Sequence, residues 1–114
     1  MSFNQKIKIT ALSLIQKGLN EDKKLILKTS GQIMLPLISE GNKVIIKKAD
    51  SFEIADIIAY YQKNNDYIEI IAHRIIAIRE DGYVRTKGDN MDNPDPGWIS
   101  PEKILGKVIE IISD

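Results

Sequence analysis

The chain has 114 residues, one histidine and no cysteine, and 43% of its residues are hydrophobic. At this length the sequence predicts a single domain with one hydrophobic core, and it excludes a two-domain enzyme. Because there is no cysteine, a disulfide framework, a thiolate nucleophile and cysteine-ligated zinc or iron–sulfur sites are also excluded. The fold must therefore be stabilised by packing.

The charged residues balance overall but not along the chain. There are 16 basic and 16 acidic side chains, which gives a formal net charge of zero. Residues 1–48 hold nine lysines against three acids, a balance of +6, and residues 49–114 hold seven basic residues against thirteen acids, a balance of −6. Bulk charge therefore gives no reason to expect a nucleic-acid partner, although the lysine-rich half could dock an acidic protein.

No segment of the sequence has the features of a membrane anchor or an export signal. The apolar run 68–78 is interrupted by Glu69, His73 and Arg74, and a membrane span needs about 20 apolar residues. The first apolar run of the chain is short and is not followed by a small-residue cleavage site. We therefore expect a cytoplasmic protein with no membrane anchor.

The chain divides into an N-terminal helical segment, residues 1–24, and a β domain, residues 25–114, on whose core the helix is expected to pack. Three apolar side chains follow the spacing of one helix face: Leu12, Ile15 and Leu19. This spacing predicts a helix over residues 5–17, with Gly18 as its C-terminal stop.

Segments rich in β-branched and aromatic residues follow, separated by turn signals. Six of them are predicted strands: 25–29, 44–48, 57–61, 67–78, 83–87 and 107–112. The turns between them leave no room for crossover helices, so the sequence predicts a mainly β fold of antiparallel strands with a short N-terminal helix. Ser100 and Pro101 predict a helical turn that ends at Gly106.

Five short motifs and one acidic residue occur in a distinctive order: Ser-Gly-Gln-Ile-Met-Leu-Pro at 30–36, Gly-Asn-Lys-Val at 41–44, Ala-Asp-Ile at 55–57, His-Arg-Ile at 73–75, Lys-Gly-Asp-Asn at 87–90, and Asp95. Over residues 25–112 they resemble the superfamily of signal peptidases and LexA-like self-cleaving repressors. Members of that superfamily show Gly-x-Ser-Met-x-Pro, Gly-Asp-x-Val, Gly-Asp-Ile, His-Arg-Ile and Lys-Gly-Asp-Asn. The resemblance is greatest to the branch that uses histidine as base.

The resemblance implies a LexA/signal-peptidase-like β-ribbon fold, as in small soluble members of the superfamily, and a site related to serine endopeptidases. It assigns the base to His73 and the acid to Asp95, with Asp89 in the neighbouring Lys-Gly-Asp-Asn run. It places peptide binding at the first motif: Gly31, Gln32, Ile33, Met34 and Pro36. It implies no cofactor and no metal.

The chain departs from the family at the nucleophile, because Ile33 stands where the family has the serine before methionine. Ile33 has no hydroxyl to attack a carbonyl, and loss of the nucleophile costs a serine protease on the order of 10⁶ in turnover. Asn42 replaces the aspartate of Gly-Asp, which changes the charge but keeps the turn. Ala55 replaces the glycine of Gly-Asp-Ile and indicates a relaxed demand for backbone freedom.

The sequence therefore predicts a signal-peptidase-like domain that lacks its nucleophile and binds an extended peptide or leader-like segment without cleaving it. One alternative is an active or conditionally active endopeptidase that uses Ser30, Ser39, a partner's residue or a water activated by His73. Another is a structural or regulatory subunit of a larger peptide-maturation assembly. Each predicts a peptide or protein partner and leaves the oligomeric state open.

The candidate residues also have structural interpretations. His73 is compatible with a purely structural role, and Asp89 with a tight turn that uses local side-chain hydrogen bonds. Asp95 lies between two prolines, so it is either a rigid loop residue or a positioned acid.

Two further interpretations concern the acidic loop. A metal site would draw its ligands from one histidine and three acids: His73, Asp89, Asp92 and Asp95. This set is poor for zinc and lacks the spacing of a calcium-binding hand. Trp98 is interpreted as a packing residue beneath the loop.

Overall fold

The structure is a computed structural model that describes residues 5–28 and 42–112. The described residues form a mainly β fold of antiparallel strands with one short N-terminal helix, as the sequence predicts. The elements are β1 (Gln5–Lys8), a 3₁₀ turn (Ile9–Ala11), α1 (Leu12–Asn20), β2 (Leu25–Lys28), β3 (Lys43–Lys47), β4 (Ile57–Asn64), β5 (Tyr67–Ile78), β6 (Val84–Lys87), a second 3₁₀ turn (Pro101–Lys103) and β7 (Ile104–Ile112).

Strand β1 corrects the sequence prediction, because residues 5–8 are extended and not helical. They pair antiparallel with the first part of β5, and Ile7 lies opposite Ile68. Ile7 packs against the main core, and the Ile9 amide donates to the carbonyl of Asp66 at 2.8 Å. Pairing with a strand distant in sequence thus outweighs the local helical spacing.

Helix α1 begins at Leu12 and ends at Asn20, so Gly18 lies within it and is not its stop, contrary to the prediction. Leu12 and Leu19 are buried in the main core and Ile15 packs against it, which confirms the predicted apolar face. The chain leaves the helix through Asp22, whose φ is 65°. No helix in the described part of the chain has the length and apolar character needed to cross a membrane.

The described strands form one sheet in the order β1-β5-β4-β7-β3-β2, with β6 also paired to β5. Strand β5 has twelve residues and pairs with three other strands, β1, β4 and β6. Its first four residues pair with β1, residues 74–78 pair with β6, and β4 pairs along its other edge. Both edges of β5 are therefore hydrogen-bonded to other strands, so β5 is an interior strand of the sheet.

Alternation along β4 and β5 creates two apolar clusters among the described residues. The larger cluster receives α1 and side chains from both central strands: Ile57, Ala59, Tyr61, Ile68, Ile70 and Ala72. The smaller cluster lies on the opposite face: Ile58, Tyr60, Ile71, Ile75 and Val84. His73 lies two residues from both Ile71 and Ile75 on β5, so its side chain is on the same face of the sheet as the smaller cluster.

The last turn before β7 is capped as the sequence predicts but ends earlier. The Ser100 hydroxyl accepts a hydrogen bond from the Glu102 amide at 3.4 Å, and Pro101 is the first residue of the turn. Gly106 does not end this turn, because β7 begins at Ile104. Gly106 instead lies against β3, where a Cβ atom would be 2.3 Å from the Lys47 carbonyl oxygen.

The substitution Gly106→Ala is expected to lower the free energy of unfolding by about 1–3 kcal/mol, because the new methyl group forces β7 away from β3. Urea denaturation measures the change. Gly18→Ala is the matched control: a methyl group at this position would have nothing within 4 Å, and alanine in a helix is expected to add about 0.5–1 kcal/mol. Unchanged stability in Gly106→Ala would contradict the close approach of the two strands.

Candidate functional site

The site is centred on His73, which strand β5 places opposite Ile58 of β4. The residue is only 5% exposed. The Tyr60 ring meets the imidazole edge to face, with centroids 6.4 Å apart and an interplanar angle of 79°. The ring is therefore held within the smaller apolar cluster and cannot titrate as a surface histidine does.

The Asp95 carboxylate joins the loop that follows β6 to this ring. Its Oδ2 atom accepts hydrogen bonds from His73 Nδ1 and, at 2.7 Å, from the Thr86 hydroxyl. The Asp95 amide in turn donates to the Thr86 carbonyl at 2.8 Å. The Asp95 backbone is therefore bonded to β6 and its carboxylate lies on the ring, while its role as the acid of a site stays a prediction.

This contact determines which ring nitrogen of His73 carries the proton. An ionised carboxylate only accepts hydrogen bonds, so Nδ1 must be the donor and Nε2 is left with a lone pair. Nε2 is buried and has no hydrogen-bond partner among the described residues. Leaving a buried acceptor unsatisfied costs about 1–3 kcal/mol, so a hydrogen-bond donor at this atom would be stabilising.

Burial lowers the pKa of His73 below its ordinary value of 6.5, because the charged imidazolium is poorly solvated there. The hydrogen bond and the negative charge of Asp95 act in the opposite direction but do not outweigh burial. At neutral pH the ring is therefore uncharged. A neutral imidazole with one oriented N–H and one free lone pair is the form that a general base requires.

Burial also raises the pKa of Tyr60 to about 12, with hydrogen bonding to Thr86 acting in the opposite direction. The phenol beside His73 is therefore protonated at neutral pH. Thr86 and Tyr60 were not identified as site residues from the sequence. The sequence did contain one indication of Thr86: it is a polar residue two positions after Val84, and this spacing places both side chains on the buried face of β6.

Arg74, next to His73, binds Asp89 with both oxygens of the carboxylate engaged. Arg74 Nε donates to Oδ1 at 2.8 Å and Nη2 donates to Oδ2 at 2.7 Å. Hydrogen bonding to Asp89 raises the pKa of Arg74 above its usual value. Residues 89–90 form the predicted turn, and the Asp89 side chain is in addition an ion-pair partner of Arg74 on β5.

The loop before β4 is fixed to the same part of β5. Arg74 Nη1 donates to the Ala55 carbonyl at 2.7 Å, and the Ala55 amide donates to the Ile75 carbonyl at 2.9 Å. Ala55 has a φ of 84°, a left-handed conformation that favours glycine. The prediction that Ala55 reflects relaxed demand on the backbone is therefore wrong, because the chain keeps this conformation without the glycine.

The residues predicted to bind peptide lie outside the described part of the chain: Gly31, Gln32, Ile33, Met34 and Pro36. The same applies to the two serines considered as displaced nucleophiles, Ser30 and Ser39. Their identities come from the sequence alone. The structure thus brings together His73 and Asp95, places Asp89 on the neighbouring Arg74, and leaves the role of Ile33 as a prediction.

Three of the four candidate metal ligands have other partners: His73, Asp89 and Asp95. Asp95 binds His73 and Thr86, whereas Asp89 binds Arg74. Within residues 5–28 and 42–112, no group of three or more histidine and acidic side chains is arranged to hold a metal ion.

Trp98, interpreted from the sequence as a packing residue beneath the loop, is partly open to solvent in the structure. Its side chain is 39% exposed. The Arg79 guanidinium lies 5.0 Å from the Trp98 ring centroid and 4.7 Å from that of Tyr83. The Arg79 guanidinium therefore makes cation–π contacts with both aromatic rings.

The substitution Ala55→Gly is expected to raise the free energy of unfolding by about 1 kcal/mol, because glycine adopts a positive φ without steric cost. Urea denaturation of the two proteins measures the difference. Ala49, a loop residue without a positive φ, provides the control: Ala49→Gly is expected to be neutral or destabilising. Destabilisation by Ala55→Gly would contradict the left-handed conformation.

The free energy of unfolding is expected to fall as the pH is lowered below about 6.5, because the unfolded chain protonates His73 while the folded chain, with its lower pKa, does not. This stability is fully present above that pH and is lost towards the folded pKa at up to about 1.4 kcal/mol per pH unit. Urea denaturation between about pH 8 and pH 5 isolates the single histidine, since carboxyl groups titrate mainly below this window. Stability that rises as the pH falls through 6.5 would indicate a raised pKa and contradict the buried, neutral state of the ring.

Comparisons with known proteins do not assign the chain to a family. No protein-family model matches it, and the search of curated proteins gave no match. The function is therefore inferred from the geometry of the site and the residues of the chain.

Proposed function

We propose that this chain is a peptide-binding domain related to the serine endopeptidases of the signal peptidase and LexA-like superfamily. In this proposal it retains the base and the acid and lacks the nucleophile. The observation that carries the proposal is the contact between His73 and Asp95, two residues 22 positions apart, with Nε2 of the same ring buried and unpartnered among the described residues. A ring held in this way is oriented to accept a proton or a hydrogen bond.

The chemistry of this arrangement favours binding over cutting. In a serine endopeptidase the base withdraws a proton from the nucleophilic hydroxyl, and here no described hydroxyl contacts Nε2. Thr86 is committed elsewhere, because its hydroxyl donates to Asp95. Ile33 stands at the serine position that the resemblance indicates. The pair can orient a ligand, but the conventional acyl-transfer step has no nucleophile.

Two contacts between separate motifs support the relationship. Arg74 of the His-Arg-Ile motif binds Asp89 of the Lys-Gly-Asp-Asn motif. The same arginine binds the carbonyl of Ala55, which has a positive φ at the position of the glycine in Gly-Asp-Ile. Residues that the resemblance groups by order alone are therefore neighbours in space.

The proposed mode of binding is strand addition beside the segment that contains Ile33. Peptides that bind in this way gain affinity from main-chain hydrogen bonds and specificity from alternate side chains. Among the described strands, β2 ends the strand order of the sheet, and it directly precedes that segment in the chain. Ile33 would add apolar contact worth at most about 2–3 kcal/mol to a bound peptide.

The state of His73 also favours a second candidate, an endopeptidase with a different nucleophile. The lowered pKa leaves Nε2 unprotonated at neutral pH, which general-base catalysis needs. Such an enzyme would use a serine outside the described residues, a partner's residue or a water. It predicts cleavage that depends on His73.

A library of leader-like and signal-like peptides distinguishes the two candidates. The native chain is expected to bind a subset of extended apolar peptides saturably and to leave them intact by mass spectrometry. Ile33→Ser is expected to cleave bound peptides, because it supplies a hydroxyl to the base, whereas the matched Ile33→Ala supplies none.

The variant His73→Ala in the Ile33→Ser background is the control for the base, and it is expected to abolish cleavage. Products from the native chain that disappear in His73→Ala would establish the endopeptidase instead. The absence of saturable binding to every peptide in the library would exclude the proposed function.

A further inference from the structure

A groove lies at the surface where the loop after β6 meets β4 and the second 3₁₀ turn. Its volume is about 320 Å³, near the lower limit for a ligand pocket. Four aromatic residues, a proline and the single charged residue of the lining give it its character: Tyr60, Tyr61, Tyr83, Trp98, Pro96 and Lys103. The proposed function makes no use of this groove.

The backbone fixes the wall that Tyr83 and Trp98 form. The Val84 amide donates to the Ile99 carbonyl at 3.0 Å, and the Ile99 amide donates to the Val84 carbonyl at 2.7 Å. The Arg79 guanidinium lies over both rings, 4.7 Å from the Tyr83 centroid and 5.0 Å from the Trp98 centroid. The two rings are therefore positioned before any ligand binds.

The aromatic residues of the groove differ in how far solvent reaches them. Tyr60 and Tyr61 are only 3% and 8% exposed, so they lie at the base of the groove. Trp98 is an exposed residue and Tyr83 is partly exposed. Tryptophan and tyrosine that a rigid scaffold holds at the surface are typical anchors of a binding interface.

The lining is rich in hydrogen-bond donors and contains no carboxylate. Donor groups are present on four of its residues: Gln62, Trp98, Ser100 and Lys103. The Lys103 ammonium makes no ion pair within the described residues. A ligand that complements this lining presents apolar rings, hydrogen-bond acceptors and a negative charge.

We propose that the groove binds a proline-containing peptide segment in the polyproline II conformation, with an acidic residue that pairs with Lys103. Proline has no N–H, so such a segment presents carbonyl acceptors with few unpaired donors. Its pyrrolidine rings pack in aromatic-lined grooves, and its preformed helix loses little entropy on binding.

This interaction surface is separate from the peptide site of the proposed function. That site is placed beside β2, and two strands, β7 and β3, lie between β2 and the strand that supplies Tyr60. The inference therefore does not depend on the proposed function.

The lining disfavours two other classes of ligand. A carbohydrate donates from many hydroxyl groups, and no carboxylate lines the groove to accept them. A single-stranded nucleic acid needs a positively charged groove along its backbone, whereas Lys103 is the only charged residue of the lining.

The position of Lys103 determines what the acidic residue contributes. Lys103 is the last residue of the second 3₁₀ turn and is exposed, and its acidic neighbour Glu102 does not line the groove. An exposed ion pair adds little affinity. The acid therefore sets a preference among proline-containing peptides, and the aromatic contacts supply most of the binding.

The test uses Trp98 as its probe, because it is the one tryptophan of the chain. The ligand is a blocked peptide of about ten residues with a Pro-x-x-Pro core, a glutamate before or after it and no aromatic residue. Titration of the native chain, followed by tryptophan fluorescence and by calorimetry, is expected to show saturable binding. Alanine in place of both prolines is expected to weaken binding roughly tenfold, and glutamine in place of the glutamate about twofold to fivefold.

Two variants test the residues of the groove. Lys103→Glu is expected to bind a lysine-containing peptide more tightly than the glutamate peptide, whereas Lys63→Glu, at an exposed position of β4, keeps the native preference. Tyr83→Ala is expected to weaken binding at least about fivefold, and Tyr67→Ala, at a 47% exposed position outside the groove, leaves it unchanged. The ratio of two peptide affinities within one variant is insensitive to losses of folded protein.

Three outcomes would overturn the inference. The first is no saturable binding of any proline-containing peptide by either method, and the second is equal affinity for the proline and alanine peptides. The third is a preference for glutamate that persists in Lys103→Glu. None of these outcomes bears on the proposed function, because leader-like peptides test that function separately.

Discussion

The hydrogen bond between His73 and Asp95 is the interaction on which the site depends. It connects the inward face of the longest strand with a loop that follows β6, and the same carboxylate oxygen accepts from Thr86. The ring thereby acquires a fixed orientation and a fixed tautomer. Without this contact the histidine would be a buried polar group with two unsatisfied nitrogens, which the smaller apolar cluster could not accommodate cheaply.

Burial of His73 and its contact with Asp95 have opposite effects on the pKa of the imidazole. The smaller cluster excludes water from the imidazole and keeps it neutral, while Asp95 favours the imidazolium and is outweighed. The result is a buried acceptor at Nε2 that has no hydrogen-bond partner among the described residues. At the adjacent position Arg74 forms an ion pair with Asp89, whose charge acts on the His73 pKa in the same direction as that of Asp95.

The strands were predictable because β-branched residues and turn signals follow the period of a half-buried sheet; β5 spans the predicted range of 67–78. Strand β1 could not be predicted in the same way, because residues 5–8 become a strand by pairing with β5, about 60 residues further along the chain. His73 and Asp95 were predicted from motif order, but their contact depends on how a loop folds back onto a sheet. The positive φ of Ala55 and the hydrogen bond from Thr86 leave no signature in residue type.

The central claim is that His73 is neutral, carries its proton on Nδ1 and keeps Nε2 as an acceptor. Long-range ¹H–¹⁵N spectra of the ¹⁵N-labelled imidazole test it directly, because the chain has a single histidine. At neutral pH we expect a protonated Nδ1 and an unprotonated Nε2. An imidazolium, or a tautomer with the proton on Nε2, would contradict this claim.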